Sequence, residues 1–509
     1  MNRNTAILLG FVVLKLALQY FLISPEYDLH RDEYLHLDQG RHLAWGYLSV
    51  PPFTSWVSWV IHLLGGGVFW VRLVPALFGV LTILTVWKTV EALGGDLFAR
   101  ILAATCVLFS VLLRLNQLYQ PNSADVLGWT LLYFTLIRYT ATLRPGWIYA
   151  AGVVFAFSFL NKYNIAFLAV GLVPAWVLTA QRKIFLDKHL YLAALLALVL
   201  VLPNLVWQYA NHFPVFHHMK ELAATQLVNV SRADFLKEQL IYFSGSWVVI
   251  AAALYALLTY KPFASWRFLF FSIFITLAVF LFLRAKGYYA IGLYPIYIAF
   301  GSVFLSNRVK GRWAAIIRPA LVILPVLLFI PLYRIAFPNK RPQAFIDEPE
   351  RYRKVGMLRW EDGREHPLPQ DFADMLGWKE LAAKVDKAYA ASPDPAATLV
   401  LCDNYGQAGA INFYTRRHVQ AVSFNADYVF WFDLKTKYRH LIRVKTWPEN
   451  KLEMAETGPF FQQGFATGAV TNRYAREQGT TVFLFLNAKT DINARIRKEV
   501  AEARERYRE

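Results

Sequence analysis

Acidic side chains are scarce over most of this chain of 509 residues: the first 333 hold only twelve, and five of these (Glu26, Asp28, Asp32, Glu33 and Asp38) fall in the thirteen residues from Glu26 to Asp38. Cysteine is nearly absent as well. The two present, Cys106 in an apolar run and Cys402 in the tail, imply no disulfide framework and leave the tail thiol unpaired. The chain has no Walker loop, no dinucleotide fingerprint and no Ser-His-Asp signature in context, so nothing points to binding of a soluble nucleotide. Internal repeats and low-complexity tracts are lacking too. The N-terminal Met-Asn-Arg-Asn and the apolar run after it look like a signal peptide but are followed by no small-residue cleavage site, and the run reads as an uncleaved first span.

What is abundant is apolar surface. The chain is 56% hydrophobic and 16% aromatic, with long runs over its first two thirds, which predicts a polytopic α-helical membrane protein followed by a soluble α/β domain. Spans are expected near 5–23, 68–90, 97–115, 123–140, 147–160, 164–180, 189–209, 239–259, 266–284, 288–306 and 313–333, about eleven in all. Lys and Arg gather in cytoplasmic connections, and the segments Arg138 to Arg144, Gln181 to Lys188, Lys261 to Arg267 and Arg308 to Arg312 are basic. The N-terminus is then cytoplasmic. The acidic first loop, the loop from Val201 to Glu238 and the tail from Tyr333 lie on the far side. The formal charge of +18 splits into roughly +13 for residues 1–333 and about +5 for the rest, so membrane orientation explains most of it and no nucleic-acid partner is implied.

Gly65-Gly66-Gly67, Gly94-Gly95 and the exit Phe337-Pro338-Asn339-Lys340-Arg341-Pro342 punctuate the chain. The last predicts a boundary between a membrane domain, 1–335, and a C-terminal domain, 336–509. In the tail, Ala397 to Leu401, Val419 to Ser423, Asp427 to Phe432 and Thr481 to Leu486 read as strands, and Gly377 to Ala391 and Asp491 to Arg508 as helices. In the first loop, the apolar spacing from Arg31 to Leu48, stopped by Pro51-Pro52, predicts an amphipathic surface helix, and Phe53 to Leu64 a second.

Four ionisable residues, His30-Arg31-Asp32-Glu33, stand directly after the first apolar run. Adjacent on a helix, Asp32 and Glu33 point about 100° apart and would divide their labour. A carboxylate at a low-dielectric boundary is raised toward the range of a general base; a solvated acidic loop is the plain alternative. Asp125 opens the fourth span on the same side, either as a partner for that site or as a helix cap. Arg284-Ala285-Lys286-Gly287-Tyr288-Tyr289 puts positive charge on the outer side against the orientation rule. That pattern suits an anionic ligand such as phosphate, with the tyrosines as donors, or snorkelling to lipid headgroups. His217-His218 lacks the spacing of a helical zinc site, and the segment Asn211 to His218 reads as a loop under the substrate. Lys162, in Asn161-Lys162-Tyr163-Asn164, lies at an outer turn where it could meet anionic lipid or substrate.

In order and spacing, six segments carry a resemblance over about residues 5–335: His30-Arg31-Asp32-Glu33; Gly40 to Tyr47 leading to Pro51-Pro52; Val71 to Leu77; Leu160-Asn161-Lys162-Tyr163; Pro203 to Gln208; and Lys286-Gly287-Tyr288-Tyr289 with Leu293-Tyr294-Pro295. Together they resemble the polyprenyl-phosphate-sugar-dependent GT-C glycosyltransferases of the bacterial branch similar to protein O-mannosyltransferases and aminoarabinose transferases. The resemblance implies inverting transfer of a sugar from a lipid monophosphate donor to a lipid, glycan or protein acceptor, on the periplasmic side of a bacterial inner membrane. It implies Asp32 as base, Glu33 shaping the site, orienting the acceptor or helping to bind a divalent cation, and Asp125 as second acid. Lys286 with Arg284, Tyr288, Tyr289 and Arg31 would neutralise the leaving phosphate. His30, His42, Tyr47 and Lys162 count as further substrate-binding candidates. Ser49-Val50 departs from the charged or amide residue that members often place before the paired prolines, so no metal is assigned. A transporter or flippase for lipid-linked sugars is the competing class, but the acids here gather at one face rather than in mid-span.

Overall fold

A computed structural model describes residues 2–507. The chain forms two compact units: one holds the chain up to Ile23 with Gly67–Val206 and Leu222–Asn339, and the other holds Ser24–Gly66, Trp207–Glu221 and the chain from Lys340.

The first unit is helical, and each of the eleven apolar runs coincides with helix, from Arg3–Phe21 to Ala314–Ala336. Five stretches are long and apolar enough to cross a membrane (Arg3–Phe21, Val68–Ala92, Lys188–Ala210, Gly287–Arg308 and Gly311–Ala336), or up to seven if two bent pairs each count as one span. Pro121 and Pro145 open their helices in the first turn, where a missing N–H costs nothing. On Val68–Ala92 the hydroxyls of Thr82, Thr85 and Thr89 donate to the carbonyls four residues earlier at 2.8–2.9 Å, satisfying polar groups without water. Lys15, buried in Arg3–Phe21, donates from Nζ to Asn116 Oδ1 at 2.9 Å.

In the second unit, helix α1 (Arg31–Gln39) opens on a reciprocal cap. His30 Nδ1 accepts from the Asp32 amide at 3.2 Å, and the Glu33 carboxylate accepts from the His30 amide. The expected amphipathic helix to Leu48 is not formed. The helix stops at Gln39, because the Tyr47 hydroxyl, donating toward the carbonyls of Gln39 and His42 and accepting from the Ala44 amide, folds the following residues into a tight loop. Seven of the nine residues of α1 are buried, so it presents no two-faced surface. Helix α2 (Phe53–Leu63) does. Its Ser55 and Ser58 hydroxyls point inward to the carbonyls of Pro52 and His36, at 2.7 and 2.6 Å, while Trp59, Val60 and Leu63 are exposed. Polar inside and apolar outside is the pattern of a segment lying in a membrane interface. The segment expected as a loop from Asn211 to His218 is helical from Pro214, since Pro at the first position favours helix entry.

The tail builds a five-stranded sheet: β1 (Thr398–Cys402), β2 (Ala421–Ser423), β3 (His440–Lys445), β4 (Phe461–Ala469) and β5 (Thr481–Ala488), in the order β2-β1-β3-β5-β4. The β2-β1-β3 part is parallel, and β5 runs antiparallel to both β3 and β4. Around it lie α3 (Trp378–Ala391), α4 (Tyr405–Tyr414) and α5 (Ile492–Arg506); of the helix expected from Asp491 to Arg508, Arg508 lies outside the described residues. The core joins Leu401, Val422, Phe483, Phe485, Ile496 and Val500 to Leu48 of the first loop. The expected strand Asp427 to Phe432 is instead a 3-10 turn over Ala426–Phe430, because the Asp427 carboxylate turns inward to bind the Gln39 side chain and the Leu48 amide, each at 2.8 Å.

Helix α4 packs on α1 through Gly409: a Cβ there would lie 2.7 Å from the Tyr34 Cβ and 3.0 Å from its backbone carbon. Gly409→Ala is therefore expected to push the helices apart and destabilise the protein by about 1–3 kcal/mol, read as a lower Tm in detergent; an unchanged Tm would mean that the packing yields freely.

Candidate active site

The acidic run of the first loop becomes a compact centre in the second unit. Asp32, at the second position of α1, keeps 38% of its side chain exposed, while Glu33 beside it is fully buried in the cap. The Tyr405 hydroxyl, at the first position of α4, donates to Asp32 Oδ1 at 2.7 Å. The Arg31 guanidinium stacks 4.3 Å above the centre of the same tyrosine ring. His30 lies 3.8 Å from Asp32 Oδ2 and, by its other nitrogen, 3.7 Å from Asp374, which is buried and bonded to Arg476 at 3.2 Å. The expectation that a low-dielectric setting raises Asp32 is reversed. Burial pushes its pKa up, but His30, the Tyr405 hydrogen bond and Arg31 together outweigh it and hold the carboxyl below its ordinary value. Asp32 is thus ionised at neutral pH.

Six residues further along α1, Asp38 is buried and accepts from Tyr428 at 2.6 Å and from Asn412 at 2.7 Å. Burial pushes its pKa up against the charge of Arg41 and these two bonds. His42 stacks on Trp431 with ring centres 4.4 Å apart, and burial pushes it down to about 4, so it is neutral. The Tyr47 hydroxyl is engaged in closing the loop. A hollow of about 430 Å³ is lined by Arg41, His62, Gly65, Gly66 and Phe413.

The first unit holds a second cluster. Asp125 is buried on Pro121–Thr142 and accepts from Trp129 Nε1 and from Asn164 Nδ2, each at 2.9 Å; Asn164 also donates to the Tyr289 carbonyl at 2.9 Å. Lys162 donates to Asn122 at 2.8 Å and sits 4.3 and 5.2 Å from the ring centres of Tyr289 and Tyr288. Lys286 donates to Gln226 at 2.6 Å. With Tyr288 it lines a cavity of about 260 Å³ that also carries Ser231, Asp234 and Glu238. Arg284 is exposed in a left-handed backbone conformation, φ 52°.

Comparison with solved structures decides the architecture. The chain superposes on ArnT from Cupriavidus metallidurans bound to undecaprenyl phosphate with a TM-score of 0.63 at 15% identity, covering 94% of this chain and 98% of that one, and on the apo state with 0.62. The chain has the GT-C fold. It is accordingly a membrane-embedded protein with a small C-terminal sheet domain. Within it, residues 49–207 match the family described as dolichyl-phosphate-mannose-protein mannosyltransferase. Two relatives from Rhizobium johnstonii (strain DSM 114642 / LMG 32736 / 3841) align with part of the chain. Lipid A galacturonosyltransferase RgtD is 23% identical over 254 residues, 49% of this chain and 51% of that protein. Lipopolysaccharide core galacturonosyltransferase RgtB is 26% identical over 210 residues, 40% of this chain and 41% of that protein. The chain thus spans about half the length of these relatives or less.

On this GT-C chain the structure brings Arg31, Asp32, Glu33 and His30 together in one unit, and Asp125, Lys162, Tyr288 and Tyr289 together in the other. Sequence reasoning missed Tyr405, Asp374 and Asp427, which lie more than 300 positions from their partners in the first loop. The available signal was a strand followed by Asp403-Asn404-Tyr405-Gly406, since an asparagine cap at the carboxyl end of a parallel strand marks where α/β sheets place polar sites. The divalent ion weighed for Glu33 finds no fitting donor set: its carboxylate is taken up by the cap, and among the described residues no three His, Cys, Asp or Glu groups converge.

Asp427 is a second consequence of joining loop and tail. Burial pushes its carboxyl up to about 6, against the bonds from Leu48 and Gln39. It therefore holds its proton more tightly folded than unfolded, and ionising it removes stability as pH rises from about 4 to about 6, by roughly 3 kcal/mol when complete. Asp427→Asn should flatten the fall of Tm between about pH 4 and 7 relative to the native protein; identical slopes would show that Asp427 does not titrate in that window.

Proposed function

We propose that the chain is a membrane glycosyltransferase that moves a sugar from a polyprenyl-phosphate donor to an acceptor on the periplasmic side, with inversion and with Asp32 as general base. The observation that carries this reading is the Asp32 carboxylate: partly open, held ionised by Arg31, His30 and Tyr405, and fixed on a capped helix in a GT-C fold. In the step, the acceptor O–H gives its proton to Asp32 while its oxygen attacks the sugar C1. The C1–O bond to phosphate breaks, and its electron pair leaves with polyprenyl phosphate. Lys286 with Tyr288, Tyr289 and Arg284 supplies positive charge and donors for that leaving phosphate, and Lys162, poised over both tyrosine rings, supports the same task. Asp125 acts as the second acid by fixing the Asn164 turn next to Lys162. His30, His42 and Tyr47 shape the loop around the acceptor.

The relatives named above point to a galacturonate-type sugar and to lipid A or the lipopolysaccharide core as acceptor. The boundary at 335/336 separates a catalytic membrane part from a periplasmic tail, with the first loop, Ser24–Gly66, and the segment Trp207–Glu221 joining the tail in one compact unit, in an inner-membrane protein whose N-terminus is cytoplasmic.

Purified protein in detergent, given a panel of undecaprenyl-phosphate sugars with lipid A or core acceptors, should release undecaprenyl phosphate from one donor. Asp32→Asn should cut kcat by about 10²- to 10⁴-fold, the usual worth of a general base, and Lys286→Ala should chiefly raise the donor KM. Turnover retained in Asp32→Asn would remove Asp32 from the chemistry. Release from no donor would refute the transferase and favour a carrier of lipid-linked sugars.

A further inference from the structure

The two parallel neighbours of β1 lie on opposite sides of it, β2 on one and β3 on the other, so the chain reverses its winding direction at the carboxyl end of β1. Open α/β sheets place their functional polar groups at such a point. Here β1 ends at Cys402, Asn404 caps α4 by accepting from the Gln407 amide, and Tyr405 is the first helical residue. From that position its hydroxyl reaches Asp32.

We propose that Tyr405 is a positioning residue for Asp32, and hence that the soluble part of the chain completes the acid centre instead of merely covering it. The inference rests on the reading of Asp32 as base and assigns a function to the tail. Two observations separate it from simple packing. First, α1 and the tail already have a structural anchor of the same kind: Tyr428 donates to Asp38 at 2.6 Å, with Asn412 adding a second bond at 2.7 Å, and that carboxylate is buried. The Tyr405 bond goes instead to the carboxylate that keeps 38% of its surface open. Second, the ring is held on its face as well as at its hydroxyl. Arg31 stacks over it at 4.3 Å, and Gly406 leaves the room this needs, since a Cβ there would fall 2.5 Å from Arg31 Cγ. A guanidinium over the ring makes the phenol a stronger donor without adding a competing acceptor.

The consequence for the reaction is geometric. The Tyr405 bond to Oδ1 restrains the rotation of the carboxylate and so sets the direction in which it meets the acceptor's proton. Tyr405 keeps its own proton throughout, because burial and the neighbouring Asp32 charge push its pKa well up. The other groups facing Asp32 are His30 and Arg31 beside it, His36 one turn along α1, and Asp374 with its partner Arg476.

The test uses the full-length protein in detergent and two readouts. Asp32 is coupled to glycine methyl ester by carbodiimide at a series of pH values and quantified by peptide mass spectrometry, which follows its protonation without turnover. In Tyr405→Phe the pH at which Asp32 becomes reactive should rise by about one unit; with the donor that the panel identifies, kcat should fall about tenfold at unchanged donor KM, and the acidic limb of kcat should move up with it. Tyr405→3-fluorotyrosine keeps the shape but donates more strongly, so it folds as the native chain does and should move both midpoints down. Tyr428→Phe should lower Tm and leave both midpoints in place. Midpoints and kcat unchanged in the two Tyr405 variants would reduce this contact to packing and overturn the proposal, whereas turnover surviving in Asp32→Asn would overturn the underlying reading whatever Tyr405 does.

Discussion

Carboxylates taken out of water must find donors, and in the second unit two of them, Asp38 and Asp427, find theirs on a distant part of the chain. Asp38 of the first loop is satisfied by Asn412 and Tyr428, and Asp427 of the tail by Gln39 and the Leu48 amide. The exchange runs in both directions, so neither partner can be buried without the other. That reciprocity sets the register of α1 against α4. It also leaves Asp32, six residues before Asp38, at the edge of the contact with part of its surface open.

The membrane unit solves the same problem by different means. With few acids to bury, it satisfies hydroxyls such as those of Thr82, Thr85 and Thr89 within one helix and sets three of its lysines against amides, Lys15 with Asn116, Lys162 with Asn122 and Lys286 with Gln226, beside ion pairs such as Lys88 with Glu91. An amide oxygen accepts from a lysine without neutralising its charge. The buried Asp125 has its two oxygens occupied by Trp129 and Asn164.

What could be read from the sequence followed the range of the interaction. Helices in apolar runs depend on residues within a turn or two, and all eleven segments are helical where hydropathy placed them. The His30 to Glu33 run was legible as a centre because its rarity is a local fact. The reading went wrong where remote groups decide. Asp427 to Phe432 has the aromatic, β-branched look of a strand, but a carboxylate bound to the first loop bends it into a turn. The α1 helix ends nine residues before Leu48 because Tyr47 folds back on it. The sign of the Asp32 pKa shift was missed because His30 beside it, joined by the remote Tyr405 bond and by Arg31, outweighs burial. Strand β4, which exposes residues such as Gln462, Gln463 and Phe465 without alternation, carries little local signature of its state.

The bond between Asp32 and Tyr405 spans 373 positions, and that distance has a meaning for synthesis. A ribosome making this chain releases the first loop early and the helix carrying Tyr405 only after every apolar segment has emerged. Throughout that interval Arg31, Asp32 and Asp38 lack the partners that order them. The contacts from the tail are made last, after every apolar segment has been synthesised, so a chain truncated before β1 would keep the local cap of His30 and Glu33 and lose the Tyr405 bond to Asp32.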